Sequence, residues 1–481
     1  MIAETTFYQQ LKQRYGFESF RPGQLETLTA LATGQDVLSI MPTGAGKSLI
    51  YELYGQVTQQ LVVIVSPLIA LMQDQVASMN YHGEKRVTAL TSMMSYSEKA
   101  WTLTHLNKYR YLFVSPEMLT QERVMAQLQQ QKVGLFVVDE AHCISTWGPD
   151  FRPEYLLLGQ TREQLGAPLT LMLTATATPR VKKDIKRRMR LPAASVVTQP
   201  IDRPNIYLQV ETVAGTAEKQ QRLIALVSQL VKPGVVYFSS KKLANEMAAL
   251  INDQTACRAA AYHADLEDES RFKIQQQFMA NQIQVVCATS AFGMGIDKND
   301  VRFVIHYHLP VDIESYWQEV GRAGRDGAQS IAILLYQPGD EQIADFLSQG
   351  SIPTDEEVHF YFQQKQLSEY DKDPKANLVW FYKRHAMSEA QVLELFKKRA
   401  AQRTGALQQM LRYVRTENCK RRFITGYFGQ AHMTQPEQCC TSDTPGTTIA
   451  ELGLESTAQP PENVGLSGWQ TVMDQLFLRK K

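Results

Sequence analysis

Short unbroken apolar runs, each followed by a stretch of helical spacing, recur along this chain and confine it to one kind of architecture. Residues 37–40 (Val-Leu-Ser-Ile), 61–65, 111–114, 135–138 and 169–173 form a first set. Their apolar residues run continuously rather than alternating, as in strands covered on both faces of a parallel sheet. Strand then helix, repeated, predicts a doubly wound α/β fold. The pattern fades between residues 192 and 204 and restarts at 235–238, 284–287, 302–305 and 331–335. The expectation is two tandem doubly wound parallel-sheet lobes, 1–203 and 204–345, joined by a linker around 199–204. Strands stop beyond about residue 345. Residues 393–427 have helical spacing with many Lys and Arg, giving a small helical subdomain over 346–445. A Thr-, Gly-, Pro- and Ser-rich stretch, 443–468, reads as a loop or tether. In the tail, 446–481, an amphipathic turn at 469–478 could dock back on a lobe.

The length of 481 residues exceeds what one hydrophobic core supports and suits two or three domains. No apolar run approaches the roughly 20 residues of a membrane span. The first residues, Met1-Ile2-Ala3-Glu4, have neither the basic start nor the apolar core of a signal peptide. A cytoplasmic protein, nucleoid-associated in a prokaryote, without a membrane partner is therefore expected. A net charge of +1 argues against coating nucleic acid by charge alone, though a local basic groove stays open. Residues 180–190, with Lys or Arg at seven positions, are such an excess or else a solvated helix face.

The first run leads into Met41-Pro42-Thr43-Gly44-Ala45-Gly46-Lys47-Ser48 and then a helical pattern. Met41 stands where the usual phosphate-loop expression has glycine. The physical needs survive: Gly44 and Gly46 let backbone N–H groups turn toward an anion, and Thr43 and Ala45 complete the loop. The following helix start adds a favourable dipole. Lys47 can reach terminal phosphates and Ser48 can bind Mg²⁺. A second constellation, Asp139-Glu140-Ala141-His142, follows a buried strand. Asp139 emerges where open α/β sheets bind ligands and would hold Mg²⁺, while Glu140 would polarise an attacking water. Immediately after it come Trp147, Phe151, Arg152 and Tyr155, three rings and a guanidinium suited to stacking on unpaired bases. Late in the second lobe, Gln318-Glu319-Val320-Gly321-Arg322-Ala323-Gly324-Arg325 sets two arginines three apart. An arginine reaching across a lobe interface neutralises charge on a transferred phosphoryl group, and hydrolysis would then require lobe closure.

With their surroundings, these motifs resemble superfamily 2 helicases and, among them, the RecQ family of DNA helicases, from about residue 17 to 428. The resemblance implies two RecA-like lobes, ATP with Mg²⁺ between them, and translocation on single-stranded DNA in the 3′-to-5′ direction. It also implies duplex unwinding in repair or recombination, with single-stranded and partially duplex DNA as partners. Phe17-Glu18-Ser19-Phe20-Arg21-Pro22-Gly23-Gln24 resembles the family's adenine motif, implying contacts from Phe17, Arg21 and a base-reading Gln24. The bland alternative is a helix start with two core phenylalanines. Ser66-Pro67-Leu68-Ile69 resembles a strand-contacting motif, with Pro67 at the DNA. Thr174-Ala175-Thr176 resembles the motif that couples hydrolysis to the nucleic acid. Ala288-Thr289-Ser290 through Asp297 resembles one that touches DNA through Thr289 and nucleotide through Asp297. The segment from Cys143 to Tyr155 resembles the family's aromatic-rich sensor loop. Pro149 stands where the family usually has histidine, which would retune the coupling.

Of the six cysteines, Cys419, Cys439 and Cys440 lie late. The family's zinc subdomain has one cysteine before a Tyr-Phe-Gly stretch and three after it. Here Cys419 precedes Tyr427-Phe428-Gly429, Cys439-Cys440 begins the second group, and the rest is absent. Cys419, Cys439, Cys440 and Asp443 could supply the four ligands of a structural Zn²⁺, with His432 as a substitute. The competing reading is a degenerate site held by packing. About forty residues follow Cys440, too few for the winged-helix and further helical domains of longer members, so a short form is expected. Two rivals remain: an RNA helicase with the same motor, and a non-unwinding switch that uses ATP only to change shape.

Overall fold

In a computed structural model, which describes residues 2–145, 152–293, 298–364, 373–431 and 435–456, two all-parallel sheets organise the chain. The first contains β1 (Val37–Ile40), β2 (Leu61–Val65), β3 (Val87–Leu90), β4 (Tyr111–Val114), β5 (Val133–Val138), β6 (Thr170–Thr174) and β7 (Ser195–Thr198), in the spatial order β3-β4-β2-β5-β6-β1-β7. The second contains β8 (Ile206–Thr212), β9 (Gly234–Tyr237), β10 (Ala259–Tyr262), β11 (Val285–Ala288), β12 (Phe303–His306) and β13 (Ser330–Tyr336), in the order β10-β11-β9-β12-β13-β8. The continuous apolar runs are the inner strands: β1, β2, β4, β9, β11 and β12 are buried along their whole lengths. Each sheet is covered by separate apolar clusters on its two faces, which is why those strands carry no polar alternation.

The strand order, not the chain order, builds the site. Ile40 of β1 pairs with Thr174 of β6, and Val138 of β5 pairs with Met172 of β6. The loops leaving β1, β6 and β5 therefore emerge side by side at the carboxyl edge of one sheet. Residues 41–48, 139–142 and 175–178 meet there although the first segment is more than 90 positions from the second, and the second more than 30 from the third.

The helical region is not one unit. Ile352, Val358, Tyr361, Leu378, Val379, Trp380, Val392 and Phe396 form their own cluster, against which Leu156 of the first lobe packs. Leu407, Met410, Tyr413, Ile424, Phe428, Cys439 and Cys440 belong instead to the core under the second sheet. The 27-residue helix Glu389–Arg415, about 40 Å long at 1.5 Å per residue, joins the two.

One expectation is corrected. Up to residue 456, the tether is docked rather than loose. Leu452 and Leu454 are buried in the second lobe, Val231 N donates to Leu454 O (2.9 Å), and Ser456 N donates to Gln229 O (2.7 Å). Two leucines and Ile449 among the small polar residues supply enough apolar surface to fix the segment. The amphipathic turn at 469–478 lies outside the described residues.

Candidate nucleotide site and nucleic-acid interface

Gly44 and Gly46 both take left-handed backbone angles, with φ of 82° and 72°, which other residues reach only at a cost. They curl the loop 43–47 around the start of the Ser48–Thr58 helix. A second lobe closes over it: a Cβ on Gly44 would stand 3.3 Å from Arg325 Cδ and 3.5 Å from its Cγ. The stem of Arg325 therefore lies on the phosphate loop of the other lobe. Lys47 Nζ donates to Met41 O (3.3 Å).

The adenine motif is tied to the same loop. Arg21 Nη1 donates to Gly44 O. Gln24 is buried, its Nε2 donates to Ala45 O and Gly46 O (2.9 Å each), and its Oε1 accepts from Arg21 N (2.9 Å). Both ends of its amide are thus committed to backbone here, and reading an adenine edge requires those bonds to exchange. Phe17 is exposed and Phe20 meets Tyr8 edge-on, so the reading of two core phenylalanines does not hold for Phe17.

At the end of β5, Asp139 accepts from Glu140 N at its Oδ1 (2.9 Å). Glu140 is a non-glycine residue in the left-handed region (φ 48°, ψ 48°), a conformation that costs roughly 1–2 kcal/mol and clusters at functional sites. Burial, reinforced by Glu140, raises Asp139 to about 7 against the pull of Lys47. Burial also works to raise Glu140, but His142, Lys47 and Arg322 outweigh it and hold the carboxylate ionised. His142 Nδ1 lies 3.2 Å from Glu140 Oε2 and 3.1 Å from Thr174 Oγ1. The Thr174 hydroxyl gives its proton to Thr176 O (3.0 Å), so it must accept from His142, which fixes a proton on Nδ1. His142 thus joins the carboxylates to the segment 174–176.

Across the cleft, Glu314, Ser315 and Gln318 face His142, Thr176, Ala177 and Val181. Glu314, raised to about 7 by burial and then by Asp312, accepts from Tyr427 OH (2.7 Å) of the helical region. Arg322 is buried, and its Nε has no hydrogen-bond partner among the described residues. Glu140 Oε2 is likewise a buried acceptor without an aligned hydrogen bond. A glycine cradle, a lysine and two arginines, one with a buried donor that has no hydrogen-bond partner among the described residues, beside a buried carboxylate pair fit a polyphosphate with its Mg²⁺ and an attacking water.

The nucleic-acid assignments divide. Pro67 is buried at the end of β2, so its ring offers no surface to DNA. The exposed residue nearest to it is Ala70, in the first turn of the helix Ile69–Tyr81. Thr289 is half-buried at the end of β11, its N–H bonded to Tyr262 O (3.1 Å). Arg152 pairs with Glu117, just beyond β4. Tyr155 corrects the sequence reading: it is 1% exposed in the core and its hydroxyl reaches Asp139 O (3.4 Å), so it stacks on no base. Trp147, Pro149 and Phe151, with Asp297 and His432, lie outside the described residues.

Cys419, Cys439, Cys440 and Asp443 converge, with ligand atoms all within 4.8 Å of one another. Cys419 Sγ is 3.6 Å from Cys439 Sγ and 3.9 Å from Cys440 Sγ. A tetrahedral Zn²⁺ with Zn–S bonds of about 2.3 Å requires ligand separations of about 3.8 Å. Lys420 N, Arg422 N and Arg421 Nε point at the three sulfurs (3.4 Å each), as donors do toward thiolates. The four residues fit a zinc ion, and none of the six cysteines is in a disulfide.

A nucleotide cradle on one parallel sheet, met by an arginine loop from a second, defines a two-lobed ATP-driven helicase motor. The DEAD/DEAH box helicase model matches residues 21–185, and the helicase conserved C-terminal domain matches 218–327. The probable ATP-dependent DNA helicase RecS of Bacillus subtilis is 39% identical, over 98% of each chain. The ATP-dependent DNA helicase RecQ of Haemophilus influenzae is 39% identical over 71% of this chain and 55% of its own length. RecQ of Bacillus subtilis is 35% identical over 90% and 66%. The chain belongs to the RecQ family of superfamily 2 helicases. It spans nearly all of RecS and between half and two thirds of these RecQ proteins. Among solved structures, the DUF1998 helicase MrfA bound to DNA (TM-score 0.60, 18% identity, 72% of this chain and 50% of that one) shares the fold. So does Mss116 bound to ssRNA and UDP-BeF (TM-score 0.57, 14% identity, 83% and 90%). No helix among the described residues is long and apolar enough to cross a membrane.

Proposed function

We propose that this chain is an ATP-dependent DNA helicase that moves on single-stranded DNA and displaces the complementary strand. The observation that carries the reading is the seat of Arg325 on Gly44, because it makes the hydrolysis site depend on how the two lobes meet. In this reading, the backbone of 43–47 and Lys47 cradle the phosphates, and Ser48 and Asp139 hold Mg²⁺, which when bound draws charge from the phosphate oxygens. Glu140 orients a water for attack on the terminal phosphorus and takes its proton. Arg322 and Arg325 neutralise charge on the transferred group, with Gln318 beside them. Phe17 offers its exposed face to adenine, with Arg21 holding the loop and Gln24 exchanging its backbone bonds for the base. Asp297 adds a nucleotide contact. Loss of the terminal phosphate frees Arg325, the lobes part, and the DNA contacts assigned to Thr289, the turn after Pro67, Arg152, Trp147 and Phe151 change with them.

Family membership supports 3′-to-5′ movement and work in repair or recombination. Zn²⁺ on Cys419, Cys439, Cys440 and Asp443 is proposed from their spacing. The test is strand displacement of duplexes with 3′ or 5′ single-stranded tails, with ATPase measured against single-stranded DNA and RNA. Displacement only from the 3′ tail, DNA-specific stimulation and loss of both in Lys47→Ala are expected. Equal displacement by Lys47→Ala refutes the motor, and stronger stimulation by RNA refutes the DNA assignment. Metal analysis of purified protein expects one zinc per chain.

A further inference from the structure

The loop 321–325, which carries both arginines, is not held by its own lobe's helix alone. The last carbonyls of the helix Ile313–Val320 are met by the loop's own N–H groups: Gly321 N donates to Trp317 O (2.9 Å), Arg322 N to Glu319 O (3.2 Å) and Ala323 N to Val320 O (3.0 Å). The group that meets the loop's own carbonyls comes from the linker between the lobes. Arg203 Nη1 donates to Gly321 O (3.3 Å), and its Nη2 donates to Ala323 O (2.9 Å) and Gly324 O (2.6 Å). These carbonyls bracket Arg322 and immediately precede Arg325. Asn205 Nδ2 adds a bond to Gly324 O (2.8 Å). Arg325 Nε leans on the same Gly321 O at 3.5 Å.

The linker is itself clamped. Arg421, fully buried, donates to Arg203 O (2.8 Å), Ile206 O (2.6 Å) and Asp202 Oδ1 (2.6 Å), while its Nε points to Cys439 Sγ (3.4 Å). One chain of contacts therefore runs from the cysteine cluster through Arg421 to Arg203 and the arginine loop. A planar guanidinium reaches the three carbonyls from two nitrogens held in a fixed fork, whereas a lysine would have to reach all three from one point on a flexible stem.

We propose that Arg203 is the positioning residue of the arginine loop: the linker sets where Arg322 and Arg325 stand against the phosphate loop. The proposal rests on the assignment of Arg325 to hydrolysis. It is tested in the full chain by ATPase kinetics with saturating oligo-dT, using Arg203→Ala, Arg203→Lys, Arg325→Ala and the Arg203→Ala/Arg325→Ala pair, with thermal melting of each. A small displacement of a reacting group costs up to about 100-fold, so Arg203→Ala should lower kcat by roughly 10- to 100-fold with the KM for ATP nearly unchanged. Arg203→Lys should recover only part of the loss. In the double variant the two losses should fall short of multiplying, since the part of the Arg203→Ala effect that acts through Arg325 is already gone and only the part through Arg322 remains. If Arg203→Ala does not fold, the same kcat-without-KM loss in Arg203→Lys decides. An unchanged kcat, a rise in KM alone, or multiplying losses in the double variant overturns the proposal. Wild-type kcat in Arg325→Ala overturns the arginine-loop assignment itself, and the proposal with it.

Discussion

Removing Arg421 should be among the most damaging single changes in this protein. Its guanidinium is fully buried, and its partner Asp202 has a side chain only 11% exposed. Arg421→Met keeps much of the side-chain volume but leaves that carboxylate facing no cation, and the carbonyls of Arg203 and Ile206 lose a donor. Breaking a buried ion pair from one side costs about 3–5 kcal/mol. Two carbonyls losing a donor add about 1 kcal/mol or more each, giving roughly 5–7 kcal/mol in all. Against a domain stability of about 5–15 kcal/mol, the variant sits at the edge of unfolding. At about 2–4 °C per kcal/mol, the melting temperature should fall by roughly 10–28 °C. Urea denaturation followed by circular dichroism and by tryptophan fluorescence measures it. Arg421→Met combined with Asp202→Leu should recover at least half of the loss, because removing both charges leaves no unpaired ion. A single-variant loss below about 1 kcal/mol, or losses that simply add in the pair, would refute the reasoning.

Gly46→Ala places a Cβ 2.7 Å from Gln24 Nε2 at a φ of 72°. With about 1–2 kcal/mol of backbone strain, it should weaken binding of a fluorescent ATP analogue about tenfold or more, and unchanged affinity contradicts the cradle. Leu454→Ala should destabilise the second lobe by about 2–5 kcal/mol in denaturant titration, whereas a loose tether would show no change. His308 accepts at Nδ1 from Ser239 N (3.3 Å), and burial, with Lys219 nearby, lowers its pKa to about 4. The unfolded imidazole, near 6.5, binds protons first. Stability is therefore intact above about pH 6.5 and should fall by about 3 kcal/mol as the pH drops through 4. His308→Gln should flatten that slope, and an imidazole NMR titration near 6.5 in the folded protein would contradict it.

The sequence made the inner strands legible and the outer ones not. Every run named from the sequence is an interior strand. The four strands that went unnamed, β3, β7, β8 and β10, are the four edges of the two sheets. An edge strand keeps one flank in solvent, so Val-Thr-Ala-Leu or Ser-Val-Val-Thr carries the polar residues that a buried run excludes. Tyr155 misled for the opposite reason. Its ring follows the carboxylate motif closely enough to suggest a stacking loop, but composition cannot tell a buried tyrosine from an exposed one.

What the sequence determined by itself is chemistry at fixed local spacing: a glycine loop before Lys47-Ser48, a carboxylate pair at a strand end, and two arginines three residues apart. Those groups work through backbone turns a few residues long, so their pattern is written in consecutive positions. Only the tertiary structure decided which of them meet. The strand order brings Ser48, Glu140 and Thr174 to one edge, and the lobe packing lays Arg325 on Gly44. The linker residue Arg203 and the buried Arg421 match no motif, because each is placed by backbone carbonyls more than 100 residues away. A carbonyl looks alike in every residue, so such contacts leave no mark on the sequence until the chain is folded.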